Sequence, residues 1–142
     1  LQTAEKVAFF GLQPKIAMVS FANFGSSPHD LNDRVQRAVE IVHERAPELE
    51  IDGEMQADTA VAAERLTEYA FSKLKSPANV LIFPNLAAGN IAYKLLQHLG
   101  KPAVIGPLLL GPTRPVHILQ QGSSVEEIVR MATIAAAEAN EG

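Results

Sequence analysis

An α/β fold, with a mostly parallel sheet and helices on both faces, is what this sequence predicts, on three observations. Short apolar runs of β-type composition alternate with helical periodicities along all 142 residues. Several of the runs are apolar on both faces, as buried parallel strands are. No internal repeat, low-complexity segment or long linker interrupts the alternation.

The runs expected as strands are KIAMVSF (15–21), ELEID (48–52), NVLIFP (79–84), AVIGPLLL (103–110) and PVHIL (115–119). A helix is expected in the opening LQTAEKVAFFG. In DLNDRVQRAVEIVHERAPE, Leu31, Val35, Ala38, Val39 and Val42 form one stripe, beginning after Pro28 with Asp30 as cap and ending before Pro47. DTAVAAERLTEYAFSKL (58–74) and LAAGNIAYKLLQHLG (86–100) repeat the pattern, the latter closing at Gly100. Ser123 and Ser124 each have a glutamate three residues on, Glu126 and Glu127, so either pair makes a capping box for the last helix.

Composition narrows the function classes. A single domain of this length removes roughly 70% of its unfolded surface from water and needs no staples. Cysteine is absent, which excludes disulfides and thiolate metal sites and suits a reducing compartment, with the cytoplasm as the expected location. Sixteen acidic against twelve basic residues give a net charge of -4 with no basic run, which argues against a nucleic-acid partner. No apolar run approaches the roughly 18 residues of a spanning helix, and no signal pattern opens the chain, so no membrane partner is expected. The sequence starts inside a helical periodicity without methionine and runs out in EANEG. It is read as one domain, residues 1–142, cut from a longer polypeptide.

In open α/β sheets ligands sit at the carboxyl ends of the strands, so the loops that follow strands carry the candidate chemistry. FGSS (24–27) couples a glycine to Ser26 and Ser27 ahead of a helix, which suits a phosphate cradled by backbone N–H groups or an ordinary turn with a capping serine. No GxxxxGK[ST] or GxGxxG is present. DGEMQAD groups Asp52, Glu54 and Asp58; a polar turn leading to an Asp-capped helix is favoured over a cation site or an acid/base pair. The histidines at 29, 43, 98 and 117 lack metal-ligand spacing, so no metal site is expected; two lie on exposed sides of helices, and His117 reads as a hydrogen-bonded structural residue. No GxSxG elbow supports a Ser/His/Asp triad. In PNLAAGN, Asn85 and Asn90 flank small residues that admit either a ligand or a closely packed helix. QQGSS points N–H groups from a helix start and suits anion binding. Its glutamines neither attack nor move protons, so chemistry there is harder to support.

Taken together, IDGEMQADTAV, NVLIFPNLAAGNIAYKLLQHLG, AVIGPLLLG, PVHILQQG and SSVEEIVRMATIAA resemble, in order and spacing, the phosphate acetyltransferase (phosphotransacetylase) family over nearly the whole chain. The resemblance implies the second of two subdomains, with a core like that of the isocitrate and isopropylmalate dehydrogenases and a ligand cleft facing the missing upstream subdomain. It also implies a homodimer or higher homo-oligomer formed through this half.

The family includes acetyltransferases that exchange acetyl groups between acetyl phosphate and coenzyme A, and a homologous domain at the carboxy terminus of bacterial NADP-dependent malic enzymes. NFGS, where the acetyltransferases usually have STKGS, and GPLLLG followed by PVHIL, where they have GPILQG and PVNDLSRG, resemble the malic-enzyme branch. At the positions of the family's transition-state serine, phosphate-holding arginine and proposed base stand Gln120, Gln121 and Glu127. Loss of an arginine clamp removes a large electrostatic contribution, and Glu127 is favoured as a helix cap over a base.

The expected function is therefore regulation and oligomerisation of a malic enzyme that converts malate to pyruvate. This domain would bind acetyl-CoA or a related acyl-CoA or phosphate metabolite without transferring acetyl groups. NADP and a divalent metal, Mg or Mn, belong to the implied parent and not to this segment. The ligand-binding candidates are Asn23, Ser26, Ser27, Asn85, Asn90, Gln120, Gln121, Ser123 and Ser124. The alternative is a working phosphate acetyltransferase in which Ser26, Ser27 and backbone amides replace the missing groups.

Overall fold

The computed structural model describes residues 1–141. They divide into two units, Leu1 with Thr3–Lys94 and Gln2 with Leu95 onward. The first unit holds most of α1 (Gln2–Phe9), β1 (Lys15–Val19), α2 (Asp30–Arg45), β2 (Glu50–Met55), α3 (Ala57–Val61), α4 (Ala63–Leu66), β3 (Val80–Ile82) and most of α5 (Leu86–Leu95). The sheet is parallel throughout, in the order β2-β1-β3.

The period of two in β1 builds two cores. Ile16 faces a cluster with Ala4 of α1, Ile51 and Val80, against which Met18 and Val42 of α2 pack. Ala17 and Val19 face the opposite cluster with Met55, Ala60 of α3, Leu66 of α4 and Leu74. Helices thus cover both faces, as expected. In β2, Ile51 and Met55 would share a face if the strand were regular. They serve opposite clusters because Met18 pairs with Gly53 and Val19 with Met55, leaving Glu54 as an extra, bulged residue.

The stripe read on α2 is real: Val35 and Val39 are buried, and Leu31, Ala38 and Val42 half-buried. Full burial of one valine contributes about 1.5–3 kcal/mol, against about 1 kcal/mol for a cap, so the stripe holds α2 more firmly than its ends do. His43 Nε2 adds a hydrogen bond to the Ile51 carbonyl at 2.9 Å, tying α2 to β2. The cap is His29, whose Nδ1 accepts the Leu31 N–H at 3.1 Å, and Asp30 lies inside the first turn.

Three other expectations are corrected. The helix read over 58–74 is broken into α3, α4 and a 3₁₀ turn (Thr67–Tyr69), because Ala62 is extended at φ -105° and ψ 118°. Asp58 is not a cap; it lies inside α3, which starts after Gln56. DGEMQAD is not a loop either, since Asp52 to Met55 continue β2.

The second unit begins with the end of α5 and a wide π-type turn (Leu96–Gly100). The left-handed residue that ends it is Lys101 at φ 47°, not Gly100. Residues 101–124 follow without regular strands, and α6 (Val125–Glu141) closes the chain. The strands expected over 103–110 and 115–119 do not form. Prolines at 107, 112 and 115 remove ladder donors, and Gly106 and Gly111 turn the backbone to φ 123° and 101°. His117 is buried as a structural residue: Nδ1 accepts the Leu109 N–H at 3.3 Å, so Nε2 carries the proton it donates to Glu138 Oε2 at 2.8 Å.

Candidate functional site

Within the first unit, chain order reverses at β1, which leads off to β2 on one flank and has β3 on the other. Such a switch point opens a crevice at the carboxyl ends of the strands. A cavity of about 360 Å³ occupies it, walled by Val19, Phe21, Leu31, Phe83, Pro84 and Ala88, with Ser20 and Asn85 as its polar members. Ser20 Oγ donates to Asn32 Oδ1 at 2.6 Å, and Asn32, 1% exposed, donates through Nδ2 to the Ser27 carbonyl at 2.8 Å. Asn85 Oδ1 accepts the Ala88 N–H at 2.9 Å and so caps α5. Asn90 lies one turn on, exposed and outside the cavity wall. Gly89 of α5 faces Phe83, and an added Cβ would meet its ring and Cβ atoms at 3.5–3.7 Å, an ordinary packing distance. Of the small residues of this segment, Ala88 lines the cavity.

The loop after β1 closes as a tight turn. Ser26 N–H donates to the Asn23 carbonyl at 2.9 Å, with Phe24 at φ 45° and Gly25 at φ 82° between them. Its donors are used inside the protein. Asn23 N–H goes to Ser26 Oγ at 3.0 Å, Phe24 N–H to the Glu54 carbonyl at 2.8 Å and Gly25 N–H to Glu54 Oε1 at 2.7 Å. Asn23 Oδ1 accepts the Gln56 N–H at 2.7 Å, and Gln56 Nε2 donates to the Phe21 carbonyl at 2.8 Å.

The three carboxylates read together in DGEMQAD have separate partners. Asp52 holds Ser72 and Lys73, Glu54 holds the loop, and Asp58 accepts the Thr59 N–H and sits 3.6 Å from Arg65. Among the described residues no three histidines, aspartates or glutamates are grouped to hold a metal ion. No described helix is long and apolar enough to cross a membrane.

In the second unit, Gln120 and Gln121 are exposed, and Ser123 N–H donates to the Gln120 carbonyl at 3.1 Å across Gly122 at φ 88°. Of the two boxes the sequence offers, Ser124 and Glu127 form one. Ser124 N–H donates to Glu127 Oε2 at 2.7 Å, and Glu127 N–H donates to Ser124 Oγ at 3.2 Å. Glu126 instead pairs with Arg130. Ser124→Ala is expected to cost about 1 kcal/mol, read as a lower urea midpoint with an unchanged slope.

A chain with these loops in this order matches the family model for phosphate acetyl/butaryl transferase over residues 1–136. The chain belongs to that family. Relatives of two kinds share this phosphate acetyl/butaryl transferase sequence. The NADP-dependent malic enzyme of Escherichia coli K12 is 45% identical over 141 residues, 98% of this chain and 19% of that protein. The phosphate acetyltransferase of Bacillus subtilis is 41% identical over 143 residues, 98% of this chain and 43% of that protein. Among solved structures, the phosphotransacetylase of Streptococcus pyogenes superposes with a TM-score of 0.91 at 42% identity, covering 99% of this chain and 43% of that one. The chain thus spans less than half of each of these relatives.

The candidates from sequence fall into both units: Asn23, Ser26, Ser27, Asn85 and Asn90 in the first, Gln120, Gln121, Ser123 and Ser124 in the second. Of the first set only Asn85 lines the switch-point cavity. The sequence reading missed Ser20, Phe21, Leu31 and Phe83 as walls, and Gln56 and Asn32 as supports. Asn32 carried a signal, being a polar residue one turn before Val35 on the buried face of α2.

Proposed function

We propose that this chain is the phosphotransacetylase-like regulatory and oligomerisation domain of an NADP-dependent malic enzyme, binding acetyl-CoA or a related acyl-CoA or phosphate metabolite without transferring acetyl groups. The observation that carries this reading is the final turn. Gln120 and Gln121 supply no charge to offset a developing anion, and the Glu127 carboxylate is engaged in capping α6. The apolar cavity at the switch point has the size for an acyl or thioester-bearing arm. Exposed Leu86 and Ile91 on α5 support assembly with a second copy. NADP and Mg or Mn would be held by residues of the parent outside this chain, and the cytoplasm is the expected compartment.

The second reading is an active phosphate acetyltransferase. It rests on relatives of that kind, whose identities of 41–45% are comparable with the 40–45% of the malic enzymes. A coupled assay on the complete protein separates the two. The expected result is no acetyl-CoA formation from acetyl phosphate above the blank, together with acetyl-CoA-dependent change in malate turnover. Acetyl transfer at a rate near that of a true acetyltransferase would overturn the regulatory reading.

A further inference from the structure

Two polar side chains, Ser20 and Asn85, line the switch-point cavity among walls that are otherwise apolar. The hydrogen-bonding role of each is fixed by its neighbours. A main-chain carbonyl only accepts, so the Asn32 amide atom 2.8 Å from the Ser27 carbonyl is Nδ2, and the other end of that amide is its oxygen. Ser20 Oγ lies 2.6 Å from this Asn32 Oδ1 and has to give it its one proton. Asn32 is 1% exposed, which keeps water from re-pairing the amide. Ser20 is left with lone pairs alone, able to accept a further hydrogen bond and not to donate one. Asn85 has the opposite polarity. A main-chain N–H only donates, so the Asn85 atom 2.9 Å from the Ala88 nitrogen is Oδ1. Its Nδ2, with two N–H groups, has no partner among the described residues.

The cavity thus carries one side chain that only accepts, on the loop after β1, and one that is free to donate, on the loop after β3. A carboxylate brings Ser20 no proton and loses its hydration among apolar walls. An ester satisfies Asn85 and leaves Ser20 without a donor. A secondary amide satisfies both, because its C=O and N–H lie on opposite sides of one planar unit and can serve groups on two separate loops. We propose that the switch-point cavity selects the secondary amide of an otherwise apolar ligand arm: Asn85 Nδ2 donates to the amide oxygen, and Ser20 Oγ, its polarity set by Asn32, accepts the amide N–H. This rests on the function proposed above only in taking the cavity as the ligand site.

The test uses two probes that differ only in N–H against O, N-butylacetamide and butyl acetate, with their affinities for the complete protein read by saturation-transfer NMR. The quantity compared is the amide-to-ester ratio, in which the probes' own hydration cancels between wild type and variant. Ser20→Ala is expected to lower that ratio by about fivefold or more, the weight of one hydrogen bond, by weakening the amide alone. A packing defect would weaken both probes alike. Asn85→Asp keeps the oxygen that caps α5 and removes both N–H groups, so it is expected to weaken both probes by about fivefold or more. Pentanoate is expected not to bind the wild type measurably. An unchanged ratio in Ser20→Ala, no loss in Asn85→Asp, pentanoate binding as tight as the amide's, or no binding of the amide to the wild type would overturn the proposal. If Ser20→Ala does not fold, Ser20→Cys, whose sulfur accepts only weakly, takes its place in the same comparison. Acetyl-CoA is titrated separately: its failure to bind would sink the regulatory reading alone and leave the probe results standing.

Discussion

Replacing Gly53 with alanine is expected to destabilise the first unit severely. Gly53 pairs with Met18 inside the sheet at φ 140°, a backbone region that residues with a Cβ avoid. An added Cβ would overlap the Met18 carbonyl oxygen and lie 3.0 Å from the Met18 Cβ and 3.2 Å from its carbonyl carbon. Both neighbours are rigid: one is main chain of the central strand, the other the first atom of a side chain packed into the core. Relief would require β1 and β2 to separate where Glu54 and Met55 are set. The cost is about 4 kcal/mol or more, a large part of the roughly 5–15 kcal/mol that holds a domain together. Circular dichroism during urea unfolding checks it. A cooperative transition within about 1 kcal/mol of the wild type would show that the strands accommodate the methyl group.

Asp52→Ala is expected to have the next largest effect, and for a different reason. Asp52 is 9% exposed and accepts three hydrogen bonds, from Gly53 N–H at 2.9 Å, Ser72 Oγ at 2.9 Å and Lys73 N–H at 2.6 Å. It anchors the segment after the 3₁₀ turn to β2 and keeps Leu74 in the core, where Ser72 Oγ also accepts the Leu74 N–H at 3.2 Å. Alanine leaves the Ser72 hydroxyl, 1% exposed, and the Lys73 N–H without their acceptor. The expected loss is about 3 kcal/mol, most of it the cost of the stranded donors. Asp52→Asn, which keeps one acceptor, should lose about half as much. Urea midpoints measure both. An acid/base role for Asp52 predicts the reverse pattern, in which Asp52→Asn leaves stability unchanged and removes an activity of the complete protein.

What the sequence made legible were features written in local pattern. The stripe of α2, the strand at 15–19, the parallel alternation and the Ser124–Glu127 box all follow from spacing that a single segment contains. What it concealed was decided by neighbours. Nothing in VAAE marks Ala62 as extended, since no glycine or proline stands there and alanine is the best of the helix formers. The polarity of Asp52 and Glu54 reads as a loop because carboxylates seldom enter a sheet. They enter this one because Ser72, Lys73 and Gly25 are brought to them from distant parts of the chain. The runs at 103–110 and 115–119 have strand composition, but composition supplies neither a partner edge nor the donors that proline lacks. For the site, the glycine and serine content of the loop after β1 suggested free backbone donors that the folded turn spends internally.

The cap on α6 has a further consequence when seen as a competition. Glu127 is tethered three residues from the serine it caps, so its carboxylate faces the helix start at an effective concentration of order millimolar or higher. Dilution never removes it. A small free anion at micromolar levels competes poorly with such an attached rival. Any ligand engaging this turn would have to compete with that attached carboxylate, a competition that favours one whose larger body binds the protein elsewhere at the same time.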